Sequence, residues 1–319
     1  MSNLMTPSVG YKPFRYEWAF EAYQQQQRIH WLPEEVPMAD DVKDWQKNLT
    51  PAEKNLLTQI LRFFTQGDIE VASNYMLHYM PVFRPVEICM MLAAFTASEA
   101  NHVHSYSHLI DTLGMPETEY TAFLQYAEMR AKADFFKSFN ANDTREIAKT
   151  LAAFGAFTEG LALFSSFSIL ISFQRFGKMK GVGQIIAWSV RDETLHCLSM
   201  IRLFHTLCEE NPGLLDDSLR QEIIEICRTT VEHEDAFIDL AFEMGPVQGL
   251  TAEEIKAYVR YIADRRLLQL GFAPIYGVKK NPLPWLDELL NNVAHESFFE
   301  TRATEYSRAA TRGNWNDAF

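Results

Sequence analysis

From about residue 51 onward, apolar residues recur at three- and four-residue spacing, the pattern of helices that bury one face. Breaks at Pro85, Gly114-Met-Pro116, Gly177 to Gly183 and Gly245-Pro246 predict helices over about 51–79, 86–113, 116–138, 144–174, 183–210, 216–244, 251–270 and 283–307. The first has a marked start, with Thr50 at the cap, Pro51 at the first helical position and Glu53 three residues after the cap. No stretch alternates at period two, so the chain reads as all-α. The opening thirty residues, with Pro7, Gly10 and Pro13, read as irregular, and residues 1–49 together as an N-terminal arm.

Composition narrows the class. The chain has 319 residues, 47% hydrophobic and 22% charged, enough for one large core. Its net charge of −13 argues against a nucleic-acid or anionic-membrane partner, since both recruit clustered Lys and Arg. Cys89, Cys197, Cys208 and Cys227 show no Cys-x-x-Cys spacing and fall in helical segments, which fits a reducing, cytoplasmic setting. The start of the chain has no basic cluster followed by an apolar run, so no secretory signal is expected. Leu151 to Phe173 carries a single charge, Glu159. It is long enough to span a bilayer, but its interspersed Ser, Thr and Gly suit the central helix of a bundle better.

Two copies of one arrangement stand out on the apolar helices. Asp68 is followed 31 residues later by Glu99-Ala-Asn-His102, and Glu159 is followed 34 residues later by Glu193-Thr-Leu-His196. Residues three apart on a helix project about 60° apart, so each Glu and its His can face one ion. Four carboxylates and two imidazoles from four helices make the ligand set of a dinuclear iron or manganese centre in a four-helix bundle. A lone buried glutamate more often pairs with an arginine, because an unpaired carboxylate is costly to bury; its company sets Glu159 apart. Carboxylate-rich ligation with one imidazole per ion suits iron and manganese, whereas structural zinc calls for more sulfur or nitrogen. Such a centre activates oxygen. An Fe/Fe pair is expected first, and Mn/Mn or Mn/Fe pairs suit the same ligands.

Tyr106 lies seven residues beyond Glu99 and four beyond His102, which returns it to the same helix face within about 10 Å along the axis. It is the candidate for oxidation by the centre. His30, His78, His104, His108, His205, His233 and His295 lack convergent partners. Glu232-His233-Glu234-Asp235 reads as a solvated face, and Gly177 to Gly183, with no strand before it, as a helix connection rather than a phosphate loop.

The segments Glu99-Ala-Asn-His102-Val-His-Ser-Tyr106 and Arg191-Asp192-Glu193-Thr-Leu-His196 resemble those of the small, radical-generating subunit of class I ribonucleotide reductase. Trp31-Leu-Pro-Glu-Glu, Asn281-Pro-Leu-Pro-Trp285 and the tail from Glu305-Tyr306 to Phe319 fall where that family has such segments, so the resemblance runs through nearly the whole chain. It implies a ferritin-like helical bundle with a four-helix dimetal core and extra flanking helices. Residues 1–305 would form the single domain and 306–319 a flexible tail that docks on the large subunit.

The resemblance assigns Asp68, Glu99 and His102 to one metal and Glu159, Glu193 and His196 to the other, with Glu99 and Glu193 bridging. It makes Tyr106 the radical residue and Trp31, Asp192 and Tyr306 members of a transfer route to the large subunit, where ribonucleotides become deoxyribonucleotides. Asp68 favours the reductase over ferritins and many dinuclear hydroxylases, which usually carry Glu there. Leu163, Phe167 and Ser189 match the positions lining the family's radical pocket, and Ser189 makes that lining smaller and more polar. The aromatic tail Asn314-Trp-Asn-Asp-Ala-Phe319 suits a peptide that docks in a groove. The expected assembly is a homodimer with its large subunit, with a flavoprotein activator as a further candidate partner and with neither nucleic acid nor membrane. The alternative function is a related dinuclear iron or manganese oxidase or hydroxylase acting directly on a small substrate. Iron storage and a metal-free helical scaffold stand behind both.

Overall fold

The computed structural model describes residues 3–287 and 289, with the side chains of residues 66, 68 and 136 outside that description. Among the described residues, eleven α-helices carry the fold. In chain order they are α1 (Glu17–Arg28), α2 (Ala39–Lys43), α3 (Pro51–Asn74), α4 (Val86–Thr112), α5 (Glu119–Ala122), α6 (Ala127–Lys137), α7 (Thr144–Thr150), α8 (Leu163–Ser172), α9 (Lys180–Glu210), α10 (Asp217–Ala241) and α11 (Ala252–Gln269). No strand occurs among the described residues; a single isolated bridge joins Val247 and Leu250. Backbone contacts divide the chain into one unit, Met1–Pro282, and a second, Leu283–Phe319. Most of the expected helix 283–307, Tyr306 and the tail lie outside the described residues.

The core of the first unit is four rods: α3, α4, the continuous rod from α7 through α8, and α9. Helix α3 packs along α4, and α9 packs along the α7–α8 rod. The start of α3 follows the sequence. Thr50 Oγ1 accepts from the Glu53 amide at 3.2 Å, and Glu53 answers by accepting from the Thr50 amide at 2.8 Å, a reciprocal cap. Helix α9 is capped from a distance instead: Asp41 accepts from the amides of Gly181 and Val182 at 2.9 and 2.8 Å, and Asp44 from that of Met179 at 2.9 Å. These carboxylates satisfy amides that an N-terminus leaves without intrahelical partners.

Between α7 and α8 the rod winds as a π-helix over Leu151–Ala162. The wider winding spares a backbone carbonyl here and there; Thr158 Oγ1 donates to the carbonyl of Ala153 at 3.0 Å, and Arg266 Nε to that of Gly160 at 2.7 Å. Glycine makes the close packing possible, since a Cβ at Gly155 would lie 2.5 Å from Met200 Cβ and one at Gly160 2.6 Å from both Arg266 Nε and Cys197 Sγ. The most apolar window of Thr144–Phe176 is wholly buried inside the protein, which makes it a core helix, as its small polar residues suggested.

Four expectations need correction. The opening thirty residues are not irregular throughout: Glu17–Arg28 is a helix packed on α4, burying Ala19, Ala22 and Gln26 along one stripe. The single helix expected over 116–138 is broken at Tyr126, whose backbone is extended. Arg62 of α3 holds both sides of that break, pairing with Glu119 and donating to the Tyr126 hydroxyl at 2.6 Å. The helix expected over 51–79 keeps its extent but not its winding, since residues 75–79 turn as a π-helix directly after α3. Finally, the Glu232–Asp235 cluster is not a solvated face. Glu234 is fully buried and ion-paired with the equally buried Lys132, whose ammonium sits 3.6 Å from the centroid of the Phe63 ring. Burial raises the Glu234 carboxyl and lowers the Lys132 ammonium, each shift opposed by the partner's charge.

Candidate metal centre

Helix α4 turns Phe95, Glu99, His102 and Tyr106 inward on one stripe, the three- and four-residue spacing that a buried helix face requires. Helix α9 does the same with Ser189, Asp192, Glu193 and His196, and the π segment presents Glu159. Glu99, His102, Glu159, Glu193 and His196 are all 0–1% exposed. Asp68 lies on α3, and its side chain is outside the described residues.

The two bridging candidates each reach both imidazoles. Glu99 puts Oε1 2.8 Å from His196 Nδ1 and Oε2 3.3 Å from His102 Nδ1. Glu193 puts Oε1 3.0 Å from His102 Nδ1 and Oε2 3.6 Å from His196 Nδ1. Ligand atoms of Glu99, Glu159, Glu193 and His196 lie within 4.8 Å of one another. Yet Glu99 Oε1, Glu159 Oε2, both Glu193 oxygens and His196 Nδ1 make no hydrogen bond. His196 Nδ1 and Glu99 Oε1 are close enough for one but are not aligned for it. Buried lone pairs gathered in this way are expensive unless a cation satisfies them. Oxygen-rich donors with two imidazoles fit a pair of hard or borderline ions.

The charge states agree. Burial alone would lower the His102 imidazole, but Glu99, Asp192 and Glu193 outweigh it and push it well above its ordinary value. Burial likewise opposes His196, where Glu193 and Glu99 prevail and raise it to about 10. Burial would raise Glu99, but His102 and His196 hold it at about 2. Glu159, farther from the imidazoles, is raised by burial and by repulsion from Glu193. The cluster draws positive charge, from protons or from metal.

Around the centre, Trp31 Nε1 donates to Asp192 Oδ2 at 2.8 Å, and the same oxygen faces His102 Nε2 at 3.3 Å. Tyr106 Oη donates to Ser189 Oγ at 3.3 Å, and its ring stacks on Phe64 at 4.5 Å between centroids. Leu163, Phe167 and Ser189 are buried, and Phe64 packs against Phe167. A cavity of about 260 Å³ borders Trp31, Ser98, Asn101 and Asp192.

Two contacts were not foreseen. Tyr75 donates to Glu159 Oε1, and a signal for it existed, since Tyr75 follows Asp68 by seven residues just as Tyr106 follows Glu99. Gln26 faces His196 Nε2 through Oε1 at 3.0 Å; within the polar run Gln24–Gln27 nothing marks it.

Residues 8–282 match the family model described as ribonucleotide reductase, small chain. The chain belongs to the ribonucleotide reductase small-chain family. It is 46% identical to a probable ribonucleoside-diphosphate reductase small subunit of Invertebrate iridescent virus 3, over 98% of this chain and 88% of that protein. It is 33% identical to the ribonucleoside-diphosphate reductase subunit beta of Chlamydia pneumoniae, over 93% and 89% of the two chains. Among solved structures, the ribonucleotide reductase R2 subunit from Clostridium botulinum superposes with a TM-score of 0.82 at 25% identity, covering 91% of this chain and 94% of that one. Streptococcus sanguinis dimanganese(II)-NrdF shares the fold, with a TM-score of 0.74 at 19% identity over 90% and 98% of the chains. As a reductase small chain, the protein is the small subunit of a ribonucleoside-diphosphate reductase, an oxidoreductase with a ferritin-like helical fold. Family membership favours that reading over a self-contained oxidase, and its buried carboxylate–imidazole group can hold metal.

Proposed function

We propose that Asp68, Glu99 and His102 would hold one ion and Glu159, Glu193 and His196 a second, with Glu99 and Glu193 placed to serve both. The observation that carries this is the placement of Glu99 and Glu193, each with one oxygen toward either imidazole. An Fe/Fe pair is the first expectation and Mn/Mn or Mn/Fe the alternatives, since both metals accept these donors. A bound pair of ions would supply oxygen activation and one-electron oxidation. Tyr106 would be the side chain that this chemistry oxidises. Phe64 stacks on its ring with Phe167 packed against Phe64, Ser189 Oγ accepts its hydrogen bond, and buried Leu163 is proposed to complete the pocket.

Asp192 holds the Nε2 proton of His102 in place and receives the Trp31 indole N–H, so that Trp31, Asp192 and His102 form one hydrogen-bonded line out of the centre. Tyr306 and the tail 306–319 extend that line to the large subunit, residues 1–305 being the folded domain. The active assembly is a homodimer with its large subunit. A cytoplasmic setting accords with Cys89, Cys197, Cys208 and Cys227, all free thiols. A flavoprotein activator belongs to the reading only if superoxide rather than oxygen is the oxidant.

The test is to load metal-free protein anaerobically with Fe(II), Mn(II) or both, admit oxygen or superoxide, and record the paramagnetic resonance spectrum. A tyrosyl signal is expected that Tyr106→Phe abolishes while leaving metal content unchanged. A signal that survives the substitution would assign the radical to another tyrosine.

A further inference from the structure

Behind the two imidazoles runs a continuous shell of hydrogen bonds, and a residue of α1 links its two ends. Gln26, 6% exposed, sets Oε1 3.0 Å from His196 Nε2 and donates through Nε2 to Ser98 Oγ at 3.1 Å. Ser98 Oγ donates to Asp192 Oδ2 at 3.4 Å, the oxygen that also receives Trp31 Nε1 and faces His102 Nε2.

We propose that Gln26 is a positioning residue for this centre: its carboxamide fixes the His196 tautomer that offers Nδ1 to a metal and, through Ser98, ties that imidazole to Asp192 and Trp31. The inference rests on the reading of the six side chains as a dinuclear ligand set.

The direction of the chain follows from which groups can donate. An ionised carboxylate only accepts, so the Ser98 proton points to Asp192, and the Ser98 lone pair takes a proton from the Gln26 amide nitrogen. That leaves the Gln26 carbonyl oxygen toward His196, whose Nε2 must carry hydrogen, so that Nδ1 is the nitrogen a metal takes in place of a proton. Turning the carboxamide round would demand a bare Nε2 and put the proton on Nδ1, the atom 2.8 Å from Glu99 Oε1, where it would occupy the lone pair a metal needs. His102 is held in the matching tautomer by Asp192 at 3.3 Å. Each imidazole thus has an acceptor behind it, a carboxylate for one and a carboxamide for the other. Partners of this kind orient a ligating imidazole and raise its basicity.

Glutamine is suited to the post because it accepts at one end and donates at the other. Leucine does neither, and glutamate accepts at both ends, which separates the two roles experimentally. Full-length metal-free protein is titrated with Mn(II), and the free ion is counted by its paramagnetic resonance signal, with helix content checked by circular dichroism. Wild type is expected to bind two ions per chain. Gln26→Leu should keep one at wild-type affinity and bind the other about 10- to 100-fold more weakly, the usual loss when such a partner is removed. Gln26→Glu, which preserves an acceptor against Nε2, should keep both. Ser98→Ala, which removes only the group that orients the carboxamide, should weaken the same single ion by less than Gln26→Leu. Two tightly held ions in Gln26→Leu, or equal losses in the Leu and Glu variants, would overturn the assignment while leaving the ligand set standing. Fewer than two ions in wild type would overturn both.

Discussion

Asp192 gathers three partners on one buried carboxylate oxygen beside the proposed ligands. It is 1% exposed, and its Oδ2 receives the Trp31 indole and faces His102 and Ser98. Replacing it with alanine leaves the indole N–H and the imidazole Nε2–H without their acceptor in a buried site, the expensive half of breaking a hydrogen bond. Asp192→Ala is expected to weaken metal binding about 10- to 100-fold, measured by Mn(II) titration. Unchanged affinity would mean that His102 is oriented by packing alone. At this scale much of the site was legible in the sequence. Glu-x-x-His is a local pattern, and helix geometry converts its spacing into convergence. Gln26 and Tyr75 were harder to see. Gln26 sits in a polar run where each residue looks solvated, and Tyr75 requires knowing that the face bearing Asp68 continues through a change from α to π winding.

Apolar spacing and end signals mark a helix where they agree, as at Thr50, Pro51 and Glu53, and leave it unmarked where the buried stripe is made of small or polar residues. Helix α1 buries Ala19, Ala22 and Gln26, which hardly register as an apolar face. The π winding of Leu151–Ala162 was invisible because every residue there is buried, so no exposed side exists to reveal the period. Such segments concentrate at functional sites, and this one carries Glu159. Long-range pairs were also beyond reach: Glu234 reads as solvated until Lys132, on another helix, is placed beside it.

Burial would raise the Glu53 carboxyl, but Lys178 at 2.7 Å and the Thr50 amide outweigh it and hold it below its ordinary value of 4.5. A depressed carboxylate adds stability that is complete above its unfolded value and is lost as pH falls through the folded one. Glu53→Gln should therefore lower stability at neutral pH and flatten the acid side of the curve below about pH 4.5, measured by denaturant unfolding between pH 2 and 7. An acid side as steep as in wild type would place the proton uptake elsewhere.

At the scale of the whole molecule, generation and delivery of the radical are proposed to be separate. The six proposed ligands and Tyr106 belong to the four central rods, whereas Tyr306 and the tail belong to the end of the chain. Deleting the residues after Arg302 is expected to leave metal content and the tyrosyl signal intact and to abolish turnover with the large subunit, assayed as deoxyribonucleotide formation. Undiminished turnover would remove the tail from the route.

Everything proposed for the reaction depends on two ions lying between these four rods. The most direct measurement is an anomalous difference map from crystals of metal-loaded protein, collected at the iron or manganese edge. Two peaks are expected, one against His102 Nδ1 with Asp68 and one against His196 Nδ1 with Glu159, with Glu99 and Glu193 between them. A single peak, or peaks that leave either imidazole without an ion, would contradict the account.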